Sequence, residues 1–369
     1  MRKSWVEIDL DRLRNNIRSI RSAMDDGAKT IFIVKADGYG HGVGPLVKTA
    51  VSEGVDWFGV AYLDEALEVR KADPDCDILI LGVVEAEDVP VLARKRITSL
   101  AVSSEHARRL GAVAEANGTA ISVHVKLDSG MGRLGILPTD FESEAAAIAA
   151  TKGIEVTGLC SHFSKVEPNQ PEATARQIHH FRSAGRVIED ICGRKVLKHI
   201  ASSRACFLNS EWDYDAVRIG IVVYGYGASA SFGRFHTDPI LQWKTSVIQV
   251  RDLPAGHPVS YYGTYETETR TKLAVIALGY ADGYLRTLSN RGIVLIRGKR
   301  YPVVGRVTMN WICVDVGEDS DIAAGDEVVL IGEQGNSSVW AGELAQYCRT
   351  IPYEIVTSIK PTIPRRYLN

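Results

Sequence analysis

Short apolar runs alternate with amphipathic segments along the first two-thirds of the chain. The runs are rich in Val, Ile, Leu and Phe, a composition typical of strands that are buried on both faces of a parallel sheet. Eight runs follow this pattern: TIFIVK (30–35), WFGVA (57–61), DILILG (77–82), ITSLAV (97–102), AISVHVKL (120–127), IEVTGLCSH (154–162), VLKHIAS (196–202) and AVRIG (216–220). Several of the segments between them end in Gly, a residue suited to the C-terminal cap of a helix.

Eight β/α units within about 220 residues fit a (β/α)8 TIM barrel, whose usual size is roughly 250 residues. The alternative is an open, doubly wound sheet, which is expected to carry a GxGxxG turn after its first strand. The chain has no such turn at that position. We therefore predict a barrel.

The pattern changes after about residue 235. Runs typical of β-strands occupy 241–253, 272–280, 291–316 and 326–333, and one helix is predicted around 340–350. The sequence thus predicts an α/β protein with an N-terminal (β/α)8 barrel, residues 1–235, and a C-terminal, mainly antiparallel β-domain, residues 236–369. The first few residues of the chain are candidates to pair with that second domain.

Composition narrows the class of protein. The 369 residues are 45% hydrophobic and carry a formal net charge of −2, which gives no field to attract nucleic acid or a membrane surface. Apolar segments of signal-peptide or membrane-spanning length are absent from the sequence. The six cysteines lie far apart without a CxxC pair, so we expect reduced thiols, no metal site and a cytoplasmic protein.

Polar side chains stand at the ends of several predicted strands, where barrel enzymes carry their catalytic groups. The second, third and fourth strands end in unreactive residues. The other ends carry Lys35, Lys126 with Asp128, His162, Ser202 with Ser203, and Arg218. Each residue alone is more simply explained as part of a surface loop, but their convergence on one barrel mouth predicts a site.

Lys35 is the strongest candidate among them. A lysine at the end of a buried strand is expected to be partly desolvated, which favours the neutral amine, a nucleophile or base. The glycines that follow it leave backbone amides able to approach an anion, and Tyr39 offers a hydroxyl group. Together with a ring such as His162, these groups suit pyridoxal phosphate. Arg218 and the Gly220–Ile221 backbone lie where barrels commonly bind phosphate.

At these residues the chain resembles the alanine racemases, pyridoxal 5′-phosphate enzymes with a barrel followed by a β-domain. The likeness covers nearly the whole chain through VKADGYGHG, VKLDSGMGRLGI, LCSHFS, IASSRA, VRIGIVVYG, VSYYGTY, LGYADGY, GRVTM and IPYE in the family's order. The resemblance implies that Lys35 forms the Schiff base. It also implies cofactor contacts from Tyr39, Arg133, His162, Ser203, Arg218, Gly220, Ile221 and Tyr353.

The resemblance assigns these contacts to parts of the cofactor. Arg133 meets the phenolic oxygen, His162 lies over the pyridine ring, and Arg218 meets the ring nitrogen. The phosphate is met by Tyr39, Ser203, Gly220, Ile221 and Tyr353. A guanidinium at the ring nitrogen keeps that nitrogen unprotonated, which favours a proton exchange free of side reactions.

The resemblance also implies a two-base racemisation, in which Lys35 serves the D-face of alanine and Tyr261 serves the L-face. We favour Tyr261 over Tyr262 and Tyr265 because it directly follows Val259–Ser260. Tyr280 is the expected entryway residue, and Arg133 and the Met309 backbone are expected to contact substrate. In this family the β-domain tyrosine acts on the partner subunit's barrel, so the resemblance implies a homodimer with composite sites.

Three points stay open on sequence alone. Lys126 matches a position that is carbamylated in some family members, and the favoured alternative is an ordinary ion pair with Asp128 or Arg133. Ser202, Arg204 and Asn310 stand where members commonly have Asn, Ala and Asp, and Asn310 leaves room for a broader or serine-directed preference. Whether the enzyme makes D-alanine for peptidoglycan or degrades it is also open. We expect four histidines to be solvated: His41, His179, His180 and His236.

Two further functions compete with racemisation. Decarboxylases of basic amino acids share this architecture, but they carry an acidic residue at the ring nitrogen and a Gly-rich loop such as GGG, where this chain has Arg218. A non-enzymatic pyridoxal-phosphate carrier resembles the barrel alone, whereas some 130 residues follow the barrel here. The sequence therefore favours the racemase.

Overall fold

A computed structural model describes residues 3–24, 27–166, 171–227, 235–318 and 320–369. The first part of the chain alternates strands and helices, as the apolar runs predict. Its elements are β1 (Trp5–Asp9), α1 (Leu10–Ser22), β2 (Lys29–Ile33), α2 (Lys35–Tyr39), α3 (Val43–Ser52), β3 (Trp57–Val60), α4 (Leu63–Ala72), β4 (Asp77–Ile80), α5 (Val89–Lys95), β5 (Ile97–Ala101), α6 (Ser104–Ala116), β6 (Ile121–Lys126), α7 (Phe141–Ala149), β7 (Ile154–Cys160), α8 (Pro171–Cys192), β8 (Leu197–His199), α9 (Ser203–Leu208) and β9 (Ala216–Ile219).

Strands β2 to β9 form one parallel sheet in the order β8-β7-β6-β5-β4-β3-β2-β9. A single bridge between Ser202 and Arg218 joins β8 to β9, so the sheet curls into a nearly closed barrel. Phe32, Phe58 and Val123 are fully buried within it. The predicted barrel is confirmed, and its parallel strands bring their carboxyl ends to one mouth.

Local chemistry sets the helices that cover the barrel. Asp9 precedes α1 and accepts a hydrogen bond from the Arg12 backbone N–H at 2.8 Å, and Ser103 caps α6 through the His106 N–H at 3.1 Å. The apolar face of α1, which includes Leu13 and Ile20, is buried. Such amphipathic faces hold the helices against the outside of the sheet.

The second part of the chain is mainly strand. Its elements are β10 (Leu241–Leu253), β11 (Pro258–Val259), β12 (Tyr265–Glu266), β13 (Thr271–Ile276), β14 (Ile293–Ile296), β15 (Lys299–Val304), β16 (Ile312–Asp315), β17 (Glu327–Gln334), β18 (Ser337–Val339), α10 (Ala341–Cys348), α11 (Pro352–Ser358) and β19 (Arg365–Leu368). The predicted antiparallel β-domain is confirmed, since nine strands form a sheet in the order β18-β17-β14-β15-β16-β13-β10-β1-β19.

The strand β1 belongs to this second sheet although it precedes the barrel. It pairs antiparallel with β10, where Trp5 lies opposite Lys244, and parallel with β19 on its other side. The chain therefore crosses between the two domains twice. Within the described ranges, every helix is too short or too polar to cross a membrane.

Candidate active site

A cavity of about 480 Å³ lies at the carboxyl ends of the barrel strands. It brings together eleven of the residues singled out from the sequence: Lys35, Tyr39, Lys126, Arg133, His162, Ser202, Ser203, Arg218, Gly220, Ile221 and Tyr353. These residues come from five different strand ends and from α11, so the convergence is a product of the fold. Tyr261, Tyr280 and Met309 do not line the cavity.

Lys35 begins α2, a left-handed turn that directly follows β2. Ala36 and Asp37 both have φ of 52° and Tyr39 has φ of 54°, a conformation that side chains other than Gly seldom adopt. The Lys35 side chain is exposed in the single chain, so the expectation that Lys35 is partly desolvated is wrong for one chain taken alone. The physical reason is that Val34 ends the buried run and the turn lifts Lys35 to the cavity mouth.

The turn at Lys35 packs closely on the start of the segment after β9. A Cβ atom at Gly220 would lie 2.9 Å from the Tyr39 hydroxyl, so only glycine allows this approach. The Gly220 N–H donates to Ser203 Oγ at 2.9 Å. Burial raises the pKa of Tyr39, which keeps its hydroxyl protonated and able to donate.

Arg218 is buried beneath the cavity and is held by acceptors from two neighbouring strands. Its Nη2 donates to the carbonyls of Ser161 at 2.6 Å and Ile200 at 3.0 Å, and to His162 Nδ1 at 3.0 Å. Its Nη1 donates to His199 Nδ1 and, at 3.1 Å, to the His199 carbonyl. These bonds fix the guanidinium in one orientation.

Two buried histidines continue this network, and sequence reasoning missed both. Because His199 Nδ1 accepts from Arg218, His199 Nε2 carries the proton and donates to His124 Nδ1 at 2.8 Å. Burial and the Arg218 charge lower the pKa of His124 to about 3 and that of His199 well below its usual value. The same causes lower the pKa of His162 to about 3, so all three rings are neutral.

Lys126 lies inside the barrel mouth, where its Nζ donates to the Leu127 carbonyl at 2.8 Å. The ion pair favoured from the sequence is wrong: within the described part of the chain, the Lys126 amine forms no salt bridge and donates to a backbone carbonyl instead. The Asp128 carboxylate instead accepts four backbone N–H groups from Gly130 to Arg133, at 2.7 to 3.1 Å. Burial and neighbouring cations lower the pKa of Lys126.

The expectation that His41 is solvated is also wrong. His41 is completely buried, its Nδ1 donates to the carbonyls of Gly38 and Tyr39 at 3.0 and 2.9 Å, and its ring packs on Tyr224. Burial lowers its pKa to about 4. Its place two residues after Tyr39, in a Gly-rich turn, was the only sequence signal available. His41 thus supports the turn that begins at Lys35 through these two hydrogen bonds.

The strand ends that carry no reactive group also contribute to the cavity. Ala61, Tyr62, Leu81, Gly82 and Leu100 form part of its wall. Ala61 and Tyr62 follow β3, Leu81 and Gly82 follow β4, and Leu100 lies in β5, and the ends of these three strands gave no chemical signal. A mainly apolar wall of this kind suits the flat face of an aromatic ring.

The charge of the lining indicates the ligand. Five cationic residues line the cavity, and no carboxylate does so among the residues that the structure describes: the cations are Lys35, Lys126, Arg133, Arg204 and Arg218. Such a lining suits a ligand with a phosphate and a carboxylate group. Together with the close approach at Gly220, it fits pyridoxal phosphate and a small amino acid.

Three predicted residues of the β-domain lie on its surface instead. Tyr261, in the short turn Tyr261–Gly263, is 67% exposed, and Tyr280 and Met309 are 40% and 55% exposed. The single chain therefore brings together the barrel residues but leaves these three outside the cavity.

Comparison with known proteins agrees with this geometry. The models "Alanine racemase, N-terminal domain" and "Alanine racemase, C-terminal domain" match residues 8–228 and 240–367. The alanine racemase of Methylacidiphilum infernorum is 38% identical, over 99% of this chain and 92% of its own. The crystal structure of alanine racemase from Streptomyces lavendulae has a TM-score of 0.94 at 34% identity, over 100% of this chain and 98% of its own. The Bartonella henselae alanine racemase, with covalently bound pyridoxal phosphate, has a TM-score of 0.87 at 25% identity, over 99% of both chains.

Fold, cavity and relatives together define the class: a pyridoxal-phosphate-dependent isomerase that racemises an amino acid. Both family models are matched, and together they span most of the chain. The chain belongs to the alanine racemase family, and its reaction is the racemisation of alanine.

Proposed function

We propose that Lys35 and Tyr261 are the two bases that exchange the Cα proton of alanine, one on each face. The observation that carries this proposal is the cation-lined cavity, which holds Lys35 at its mouth, while an exchange of configuration at Cα needs a base on each face. Tyr261 is displayed on the β-domain surface, where a second chain can bring it to such a cavity. Lys35 acts on the D-face and Tyr261 on the L-face.

The residues that we propose to bind the cofactor all line the cavity. Lys35 would attach the cofactor covalently, and the cofactor, when bound, would supply delocalisation of the charge left at Cα when the proton is removed. Tyr39, Ser203, Gly220, Ile221 and Tyr353 hold its phosphate. Arg133 holds its phenolic oxygen and the substrate carboxylate, and His162 packs over its ring.

Arg218 donates a hydrogen bond to the ring nitrogen of the cofactor. Support comes from its bonds to backbone carbonyls and neutral histidines, which hold the guanidinium rigidly at the cavity floor. Burial lowers the pKa of Arg218 from its very high ordinary value, and the group stays a donor. It therefore leaves the ring nitrogen unprotonated, which suits proton exchange and not decarboxylation.

We propose a homodimer in which the partner's copies of Tyr261, Tyr280 and the Met309 backbone complete each cavity. Mixing Lys35→Ala chains with Tyr261→Phe chains tests this arrangement. Each heterodimer then contains one site in which both bases are intact, so activity returns although both parent proteins are inactive. Verified heterodimers without activity would refute shared sites.

Three finer points complete the proposal. The chain divides into residues 1–235 and 236–369, with β1 part of the second sheet. The location is the cytoplasm, which agrees with six free cysteines. Lys126 is a candidate for carbamylation because its lowered pKa favours the neutral amine, and an intact mass measurement decides the modification.

The spectrum of the purified protein tests the cofactor and its lysine. We expect an absorbance band from the bound cofactor that borohydride removes and that Lys35→Ala lacks. Racemisation assays with alanine, serine and lysine then measure the preference that Asn310 leaves open. A protein without the band, or carbon dioxide release from lysine, would overturn the proposal.

A further inference from the structure

Glu65, on the helix α4, makes contacts that its place in the helix does not account for. Its Oε1 accepts a hydrogen bond from the Ala36 N–H at 2.6 Å. Its Oε2 accepts from the N–H groups of Ala61 at 2.7 Å and Tyr62 at 3.3 Å. One carboxylate therefore ties the segment after β2 to the segment after β3.

The Ala36 N–H is the first amide after Lys35, and the turn supplies no acceptor for it. Later amides of the turn bond locally, since the Gly38 N–H donates to the Val34 carbonyl and the Gly40 N–H to the Ala36 carbonyl, both at 2.8 Å. The left-handed conformation at Ala36 and Asp37 is sparsely populated and persists only where surrounding groups hold it. Glu65 is the group that holds the turn at its start.

A capping role alone explains only part of this arrangement. The bond from the Tyr62 N–H to Glu65 closes the first turn of α4, as a glutamate at this position of a helix often does. The bond to Ala36 crosses 29 residues of sequence to a different β/α unit. Lys35, Ala61 and Tyr62 all line the cavity. Glu65 therefore fixes the position of Lys35 relative to the adjacent cavity wall.

We propose that Glu65 is a positioning residue for Lys35, an inference that rests on the role proposed for Lys35. Its carboxylate fixes the Cα position and direction of Lys35 through the Ala36 amide. When this hold is lost, the amine samples orientations that do not reach the cofactor, and covalent attachment slows more than the affinity for the cofactor falls.

The variant Glu65→Gln tests the proposal because an amide has a single acceptor oxygen for the two sets of N–H donors. Its control is Glu68→Gln on the same helix, where the glutamate is exposed and pairs with Lys71 at 3.5 Å. The first measurement is amide exchange of the cofactor-free protein in peptides covering 34–42 and 62–72. In Glu65→Gln we expect exchange at 34–42 to rise ~10-fold over Glu68→Gln, as loss of a charged hydrogen bond permits.

The second measurement is the rate at which added pyridoxal phosphate becomes borohydride-reducible on the cofactor-free protein. We expect this rate to fall ~10-fold in Glu65→Gln relative to Glu68→Gln at saturating cofactor. In the loaded enzyme, kcat should fall more than KM rises.

Two results would overturn the inference. One is faster exchange confined to 62–72, which reports a helix cap and nothing more. The other is Glu65→Gln matching Glu68→Gln in both measurements. The amide exchange does not depend on the chemical role of Lys35, so it separates failure of this inference from failure of the proposed function, which the Lys35→Ala spectrum reports.

Discussion

The two proposed bases stand on turns that both contain non-glycine residues with positive φ but differ in their support. In the barrel, Ala36 and Asp37 follow Lys35 with positive φ, and in the β-domain Ser260 and Tyr262 flank Tyr261 with φ of 63° and 65°. Both turns thus hold non-glycine residues in a strained conformation, and both display the central side chain to solvent.

The barrel turn is held by side chains from three other parts of the chain. Glu65 binds the Ala36 amide, His41 binds two carbonyls of the turn, and Arg365 from β19 donates to the Gly40 carbonyl at 3.2 and 3.0 Å. Glu65 and His41 belong to the barrel, whereas Arg365 lies near the end of the β-domain. Lys35 is therefore positioned within one chain.

The β-domain turn has fewer supports. Ser260 Oγ donates to the Arg306 carbonyl at 2.7 Å, and the Arg306 guanidinium lies 4.5 Å from the centre of the Tyr262 ring. One half of the proposed active site is therefore complete in a single chain. In the proposed homodimer, the other half is a surface feature whose final geometry would depend on the partner subunit.

The largest effect is expected from removing the better-supported base. Lys35→Ala should lower the racemisation rate at least ~10³-fold, because it loses both a base and the covalent anchor. Initial rates in both directions measure the loss. Lys48→Ala, at an exposed lysine on α3, is the matched control and should retain activity. Comparable losses in the two variants would contradict the assignment of Lys35.

The second-largest effect is expected from removing Tyr261, the base on the less supported turn. Tyr261→Phe removes one hydroxyl and should lower kcat ~10²-fold or more in both directions, as loss of one general base does. The adjacent Tyr262→Phe is the control, because Tyr262 is also exposed and carries the same group. If Tyr262→Phe were the inactive variant, the choice between these tyrosines would be reversed.

The barrel should also respond more strongly to acid. The pKa values of His41 and His124 are lowered to about 4 and about 3 by burial, so the unfolded chain binds protons that the folded chain does not. Stability is then full above pH ~6.5 and falls with decreasing pH, by about 2 kcal/mol per group at pH 5. Urea unfolding at pH 7 and pH 5 should show a shallower pH dependence for His124→Gln. His236→Gln, at an exposed histidine, is the matched control.

The smallest effect is expected at the link between the two domains. Arg365→Ala removes the two bonds to the Gly40 carbonyl, together with bonds to the carbonyls of Ile359, Lys360 and Ile363, and should lower the free energy of unfolding by about 1–2 kcal/mol. It should also raise amide exchange at residues 34–42. Lys360→Ala changes an exposed neighbour and should do neither. Unchanged exchange in Arg365→Ala would show that β19 does not support the turn.

The parts of the fold that were predictable are those in which buried apolar positions recur along the sequence. All eight barrel strands appear as apolar runs because each is covered on both faces, and the 13-residue strand β10 matches its predicted range at both ends. The two-residue strands β11 and β12 and the strand β19 carry too little pattern to be seen. Their existence depends on partners that are distant in sequence.

The site residues that lie at strand ends were predictable from the sequence. The residues that hold them in position were less so. Lys35, His162 and Arg218 follow from the strand-end rule and from motifs. Glu65 and His199 have ordinary sequence surroundings, and only the fold shows what they bind. The polar residues around His41 predicted a solvated loop. Local polarity does not report contact with the β-domain strand β19, which is distant in sequence and donates to the His41 carbonyl through Tyr367.

The position of β1 has a consequence for how the protein is made. Trp5 pairs with Lys244, so a ribosome adding ~5–20 residues per second exposes this strand for roughly 10–50 s before its partner exists. Throughout that interval the growing chain carries an unpaired edge beside a barrel that is ready to close. Chaperone capture and misassembly in the cell should therefore concentrate on the N-terminal strand.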